Sequence, residues 1–158
     1  MYSLLQIEKM IEKVNMSLGL AKNRLPAYGS DYGNRPYYVT IDNDYYSLIG
    51  FGYYRNKEDD HLIVRTQDID ELLFAIFMEV TRDIAIKYEL DNRVPNQDTR
   101  ILWFNKHVEI LNSLQLEKKF INNLKEYYDY LLKLEKPFPL QALHEIQERF
   151  SKLIVGPH

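Results

Sequence analysis

The sequence has no cysteine, which excludes disulfides, thiol nucleophiles and thiolate metal sites and leaves the redox compartment undetermined. It also lacks an excess of basic charge. Its 20 Lys+Arg stand against 23 Asp+Glu for a net charge of -3, with no basic stripe, so no nucleic-acid partner is expected. No apolar run approaches the ~20 residues that cross a bilayer. The first twenty residues carry Glu8, Lys9, Glu12 and Lys13 at helical spacing, which is not the pattern of a signal peptide. A soluble, cytoplasmic protein with no membrane partner is the expectation. Glycine and proline are scarce, at six each, and Pro26, Gly29, Gly33 and Pro36 fall together, so residues 23–36 read as a loop.

What remains is ordinary in bulk and unusual in one respect. A hydrophobic fraction of 46% is that of a folded protein, and 158 residues suit one domain that buries roughly 70% of the unfolded chain's surface. The unusual quantity is tyrosine: 13 Tyr beside 7 Phe and one Trp, many in pairs such as Tyr37-Tyr38, Tyr45-Tyr46 and Tyr53-Tyr54. On a strand each pair sends one ring to either face. Tyrosine is a good strand former in any case. The functional reading is a sheet face studded with tyrosine, which suits recognition of a protein partner.

The pattern is organised around residues 66–103. Asp68 and Glu71 have the spacing of a capping box, and Ile69, Leu72, Leu73, Ile76, Phe77, Val80, Ile84 and Tyr88 form a helical stripe. Phe74, Ala75, Met78, Ala85 and Ile86 widen it, so a helix over 69 to about 90 is expected to have neighbours on more than one side. Upstream, residues 3–18 read as a helix with Gly19 as its stop. Strands are expected at 37–42, at 45 to about 54 and at 61–65, with Asp42-Asn43-Asp44 as a tight turn. Gly50 and Gly52 mark a bulge, a bend or a close backbone approach.

Downstream, a polar elbow at 88–98 leads to a helix that starts at Asp98-Thr99, weakens near 112–115 and resumes to Leu134. Pro137-Phe138-Pro139 ends it, and a last helix is expected over 139–154. The fold class read from this is α+β: a three-stranded antiparallel meander packed against a central long helix, with N-terminal and C-terminal helices, in a single domain over 1–158.

Residues that carry chemistry are few. His61, His107, His144 and His158 are scattered, without the return ligand that a His-Glu-x-x-His site requires, and a lone histidine on the apolar helix face at His107 reads as structural. There is no Gly-x-Ser-x-Gly elbow, and Gly50-Phe51-Gly52 lacks the lysine and further glycines of a phosphate loop. Glu58-Asp59-Asp60 is a solvated turn or, less simply, a divalent-ion site. The elbow residues Glu89, Asp91, Arg93, Gln97, Asp98 and Arg100 read as helix caps and local ion pairs, or as a polar recognition loop. No catalytic residue, metal or cofactor is expected. Between 42 and 71 acidic residues outnumber Arg55, Lys57 and Arg65, which would favour encounter with a basic protein. Composition therefore nominates Tyr38, Asp42, Asp44, Tyr45, Tyr54, Asp59 and Asp60 as partner-binding residues, and secondarily Asp91, Arg93 and Asp98.

The run Leu25-Pro26-Ala27-Tyr28-Gly29 with Gly33, Pro36 and Tyr37, the segments Thr66-Gln67-Asp68-Ile69-Asp70-Glu71, Phe77-Met78-Glu79-Val80-Thr81, Tyr88-Glu89-Leu90-Asp91-Asn92-Arg93 and Gln97-Asp98-Thr99-Arg100, and finally Pro137-Phe138 form an ordered series. That series resembles the immunity protein 63 family of bacterial polymorphic toxin systems over roughly residues 25–138, with the first and last helices outside it. The resemblance implies a protein that neutralises a cognate toxin domain by tight binding and catalyses nothing itself. Two other readings of the residues stay open: an oligomerising adaptor that uses the broad apolar helices, and a small nuclease or hydrolase built on the acidic turn. Monomer or dimer is not decided by the sequence.

Overall fold

The computed structural model describes residues 1–29, 35–51 and 60–134. The chain forms two compact units, Met1–Ile76 and Phe77–His158, which divide within one continuous helix. The expected C-terminal helix at 139–154 lies outside the described residues, as do Gly52, Tyr53 and Tyr54 at the expected end of the second strand.

The first unit opens with α1 (Leu4–Asn15), which buries Ile7, Ile11 and Val14 at helical spacing. Its N-terminus is closed by a capping box: the Ser3 hydroxyl accepts from the Gln6 amide, and the Gln6 side chain accepts from the Ser3 amide. The helix is shorter than the expected 3–18. Asn15 bonds both backbone groups of Leu20 through its side-chain amide, and Gly19 turns the chain at φ +66.

A sheet of order β1-β2-β3-β4 follows, made of β1 (Ala27–Tyr28), β2 (Tyr37–Asp42), β3 (Tyr45–Gly50) and β4 (His61–Thr66). The last three strands are the expected antiparallel meander. The sheet is nevertheless mixed and four-stranded, because β1 pairs parallel to β2 from within the segment read as loop. Two residues are too few to show an alternating pattern, so periodicity could not reveal β1. Tertiary bonds hold it instead: the Gly29 amide donates to the Val39 carbonyl at 2.9 Å, and Arg35 Nη1 donates to the carbonyls of Leu25 and Pro26 at 3.1 and 3.0 Å.

The Asn43-Asp44 turn has positive φ at both residues, 48° and 66°, as a two-residue hairpin of right-handed twist requires. Register then sets the two faces. Val39, Leu48 and Val64 lie side by side and are buried, as are Tyr46 and Thr66 one row along. This is the core face; α1 lies against β2, and the Tyr46 hydroxyl accepts from the Tyr2 amide at 2.8 Å.

The long helix α2 (Ile69–Asp91) begins where β4 ends. The expected box at Asp68 and Glu71 is only half formed. Asp68 Oδ1 accepts from the Asp70 amide, but the Asp68 amide and Glu71 Oε2 both bond Thr66 Oγ1. Thr66, the last strand residue, thus competes for the groups that a reciprocal box would use. Every residue from Phe74 through Thr81 is buried, so this stretch is covered on more than one side, as expected.

In the second unit α3 (Arg100–Asn112) and α4 (Lys118–Leu132) form an antiparallel hairpin whose break falls at the weak point near 112–115. Phe104 and Tyr128 stack across it with centroids 4.1 Å apart. Arg100, at the start of α3, donates to the carbonyls of Leu131 and Leu134 at 3.1 and 2.8 Å, supplying partners to the open end of α4.

Candidate partner-binding surface

The face of the sheet opposite the core is built in rows by the same register. Tyr38, Ile49 and Leu62 stand side by side across β2, β3 and β4, followed by Thr40, Ser47 and Arg65, then Asp42 and Tyr45. A register shift between Leu48 and Ile49 inserts Ile63 into β4 and brings Leu62, otherwise in phase with Val64, onto this face. Leu62 is 56% exposed, a large apolar side chain in mid-strand. The Arg65 guanidinium lies 3.8 Å from the Tyr45 ring centroid, which holds an exposed cation in one place.

At the other end of the face Tyr38 packs on Phe51, with centroids 5.0 Å apart, and its hydroxyl donates to Asp60 Oδ2 at 3.4 Å. Asp60 Oδ1 is buried and has no hydrogen-bond partner among the described residues. Gly50 lies on β3 beside His61 of β4, and a Cβ there would meet His61 Cε1 at 2.6 Å. Its glycine therefore answers the close-approach reading of Gly50, although the neighbour is an imidazole rather than backbone.

Of the nominated residues, Tyr38, Asp42, Asp44, Tyr45 and Asp60 are thus brought to this sheet and its turn, with Asp42 and Asp44 exposed. Tyr54 and Asp59 lie outside the described residues. Sequence reasoning missed Ile49, Leu62 and Arg65. Strict alternation back from Thr66 and Val64 would put Leu62 on the core face; the register shift turns it outward, and the unbroken apolar run Leu62-Ile63-Val64 gives no sign of which member faces solvent.

Asp91, Arg93 and Asp98 belong to a second place, the elbow between α2 and α3. Here Glu89, buried at the end of α2, is the organiser: Arg93 donates to its two oxygens at 2.9 and 3.0 Å, and the Thr99 hydroxyl bonds it as well. The Arg93 hydrogen bonds, more than the opposing burial, hold the Glu89 carboxyl below its ordinary value. Asp98 is held down in the same way by Arg100, which donates to both its oxygens. Arg93 and Asp98 are therefore tied to neighbours of opposite charge, while Asp91 is exposed. Ion pairs within the chain thus engage Arg93 and Asp98 at this elbow.

His107 is the other buried polar centre, and the geometry makes it structural. Its Nε2–H donates to the Met78 carbonyl and to Thr81 Oγ1, both at 3.0 Å, while Nδ1 accepts from the Tyr128 hydroxyl at 2.6 Å. Burial, with Arg82 adding to it, pushes its pKa down to about 3, so the ring is neutral. Burial likewise raises the Tyr128 phenol above its ordinary value. Among the described residues no three His, Asp or Glu side chains are grouped to hold a metal ion, and no helix is long and apolar enough to cross a membrane.

Comparison with known proteins adds one match. Residues 55–129 match the family model described as Immunity protein 63, a stretch just under half the chain that takes in β4, α2, α3 and most of α4. No curated protein and no solved structure matches. The residue series read from the sequence and the family model thus agree: over residues 55–129 this chain carries the pattern of the Immunity protein 63 family.

Proposed function

We propose that the protein is an immunity protein that neutralises a cognate bacterial toxin domain by direct, tight binding, and that it makes and breaks no bonds of its own. The observation that carries this reading is the family match over residues 55–129. The two units act together as a single immunity domain, in the cytoplasm, where the toxin would otherwise reach its target. The partner-binding residues are Tyr38, Asp42, Asp44, Tyr45, Tyr54, Asp59 and Asp60, with Asp91, Arg93 and Asp98 as a second set.

The arrangement on the sheet supports such a role. A stable complex buries on the order of 1,600 Å² in total, anchored by a few aromatic and arginine side chains at its centre. Tyr38, Tyr45 and Arg65 are residues of that kind, fixed in place by ring and cation contacts. The test is co-expression with the toxin domain encoded by the adjacent reading frame. Growth should be restored and the two proteins should co-purify; killing that proceeds undiminished refutes the reading.

A further inference from the structure

We infer that the toxin-binding surface is the β2-β3-β4 face opposite the core, that Leu62 and the Tyr45–Arg65 pair are its anchors, and that it takes a basic patch of the partner. This rests on the immunity reading above and chooses between the two places that the nominated residues occupy.

The first argument is apolar exposure. Among the described residues the row Tyr38, Ile49, Leu62 ends on β4, the last strand of the sheet order, and Leu62 is largely open. His61–Thr66 contains no proline and no lysine, the residues that commonly protect an edge strand from pairing with another chain. A half-open apolar row beside such an edge is suited to being covered.

The second argument is charge. Asp42 and Asp44 at the turn and Asp60 at the far end surround this face, against Arg65 alone as a full cation on its strands. Arg65, stacked on Tyr45, is presented as a rigid counter-charge that fixes register against a partner carboxylate or carbonyl.

The elbow differs on both counts. Arg93 is spent on Glu89 and Asp98 on Arg100, so its charges are largely paired within the chain. Its exposed apolar residues, Leu90 and Val94, lie on either side of Asp91-Asn92-Arg93 rather than in a packed row.

The test uses the full chain and the toxin domain encoded by the adjacent reading frame, with affinity and association rate measured at low and high salt. Leu62→Ser removes the anchor at an exposed position. Asp42→Asn with Asp44→Asn removes two charges while keeping residues that tolerate the turn. Each protein is first checked for unchanged thermal unfolding. Leu62→Ser should weaken binding by about 10-fold or more. The paired Asn variant should slow association and flatten its salt dependence. Leu90→Ser with Val94→Ser, two exposed positions on the elbow, should stay within about 2-fold of the unmodified chain. Unchanged affinity in both sheet variants overturns the choice of face and leaves the immunity function standing. Absence of binding by the unmodified chain overturns both.

Discussion

His107 provides a stability prediction whose sign and size both follow from its surroundings. The ring is fully buried, and its pKa falls from the ordinary 6.5 to about 3. Between those values the unfolded chain binds a proton that the folded chain refuses. The resulting stability is therefore complete above pH 6.5 and is lost progressively as pH falls towards 3. At about 1.4 kcal/mol per pH unit, lowering pH from about 6.5 to about 5 removes roughly 2 kcal/mol. Glu89 and Asp98 have depressed values, so their contributions are present above their ordinary 4.5 and 3.8 and are lost only below these. The interval between pH 5 and 6.5 therefore lies above the loss of both carboxylate contributions and within that of His107.

The perturbation is His107→Gln. The amide is neutral throughout, and its N–H can still reach the Met78 carbonyl, but the buried Tyr128 hydroxyl loses its acceptor. That loss costs about 1–3 kcal/mol near neutral pH. Urea unfolding over a pH series reads both effects. The variant should be less stable at pH 7 and should show a flatter dependence between pH 6.5 and 5 than the parent. Parallel pH profiles for the two proteins, or an imidazole of His107 that titrates near 6.5 by NMR, would refute the reasoning.

Three further outcomes are expected. Glu89→Ala removes the carboxylate that binds Arg93 and Thr99 and should cost about 1–3 kcal/mol, with faster amide exchange across residues 93–99; an unaltered exchange pattern would show that the elbow is held by other contacts. Gly50→Ala must displace the His61 ring, which is exposed and can swing aside, so the loss should be below about 1 kcal/mol and should shrink in a His61→Ala background, where only Ile63 Cδ1 at 3.3 Å remains close; equal losses in both backgrounds would remove the close-approach account. Asp44→Gly relieves a left-handed residue at φ 66 and should raise the urea-derived stability by about 0.5–1 kcal/mol, whereas a loss would mean that the Asp44 side chain contributes to the turn.

Much of the local structure was legible because it is periodic. The helix at Ile69–Asp91, the hairpin turn at Asn43-Asp44 and the break between α3 and α4 all announce themselves in side-chain spacing or backbone preference. The split of Tyr45 and Tyr46 between opposite faces follows from strand alternation, whereas the burial of Tyr46 is decided by packing. The candidate surface was legible only in part. Tyr38, Asp42 and Tyr45 stand out by composition, but Leu62 sits in an apolar run whose inward and outward members depend on an irregular register with β3. Asp68 does cap the helix, but the return half of the box from Glu71 is absent for a similar reason, since the competitor, Thr66, comes from the strand before it.

The sequence by itself determined the class of the molecule: a mixed helix and sheet protein without thiol chemistry, with an acidic, tyrosine-rich meander and an ordered series of segments resembling one family. These are properties of composition and of neighbours a few positions apart, and short-range backbone preference is sufficient to express them. Tertiary structure decided the rest. It recruited Ala27-Tyr28 as a parallel strand, enclosed His107 among Met78, Thr81 and Tyr128, and aligned Tyr38, Ile49 and Leu62 in one row. Each of those depends on residues distant in sequence meeting at hydrogen-bonding or contact distance, and the register that brings them together is set by the packed sheet and helices rather than by any one segment.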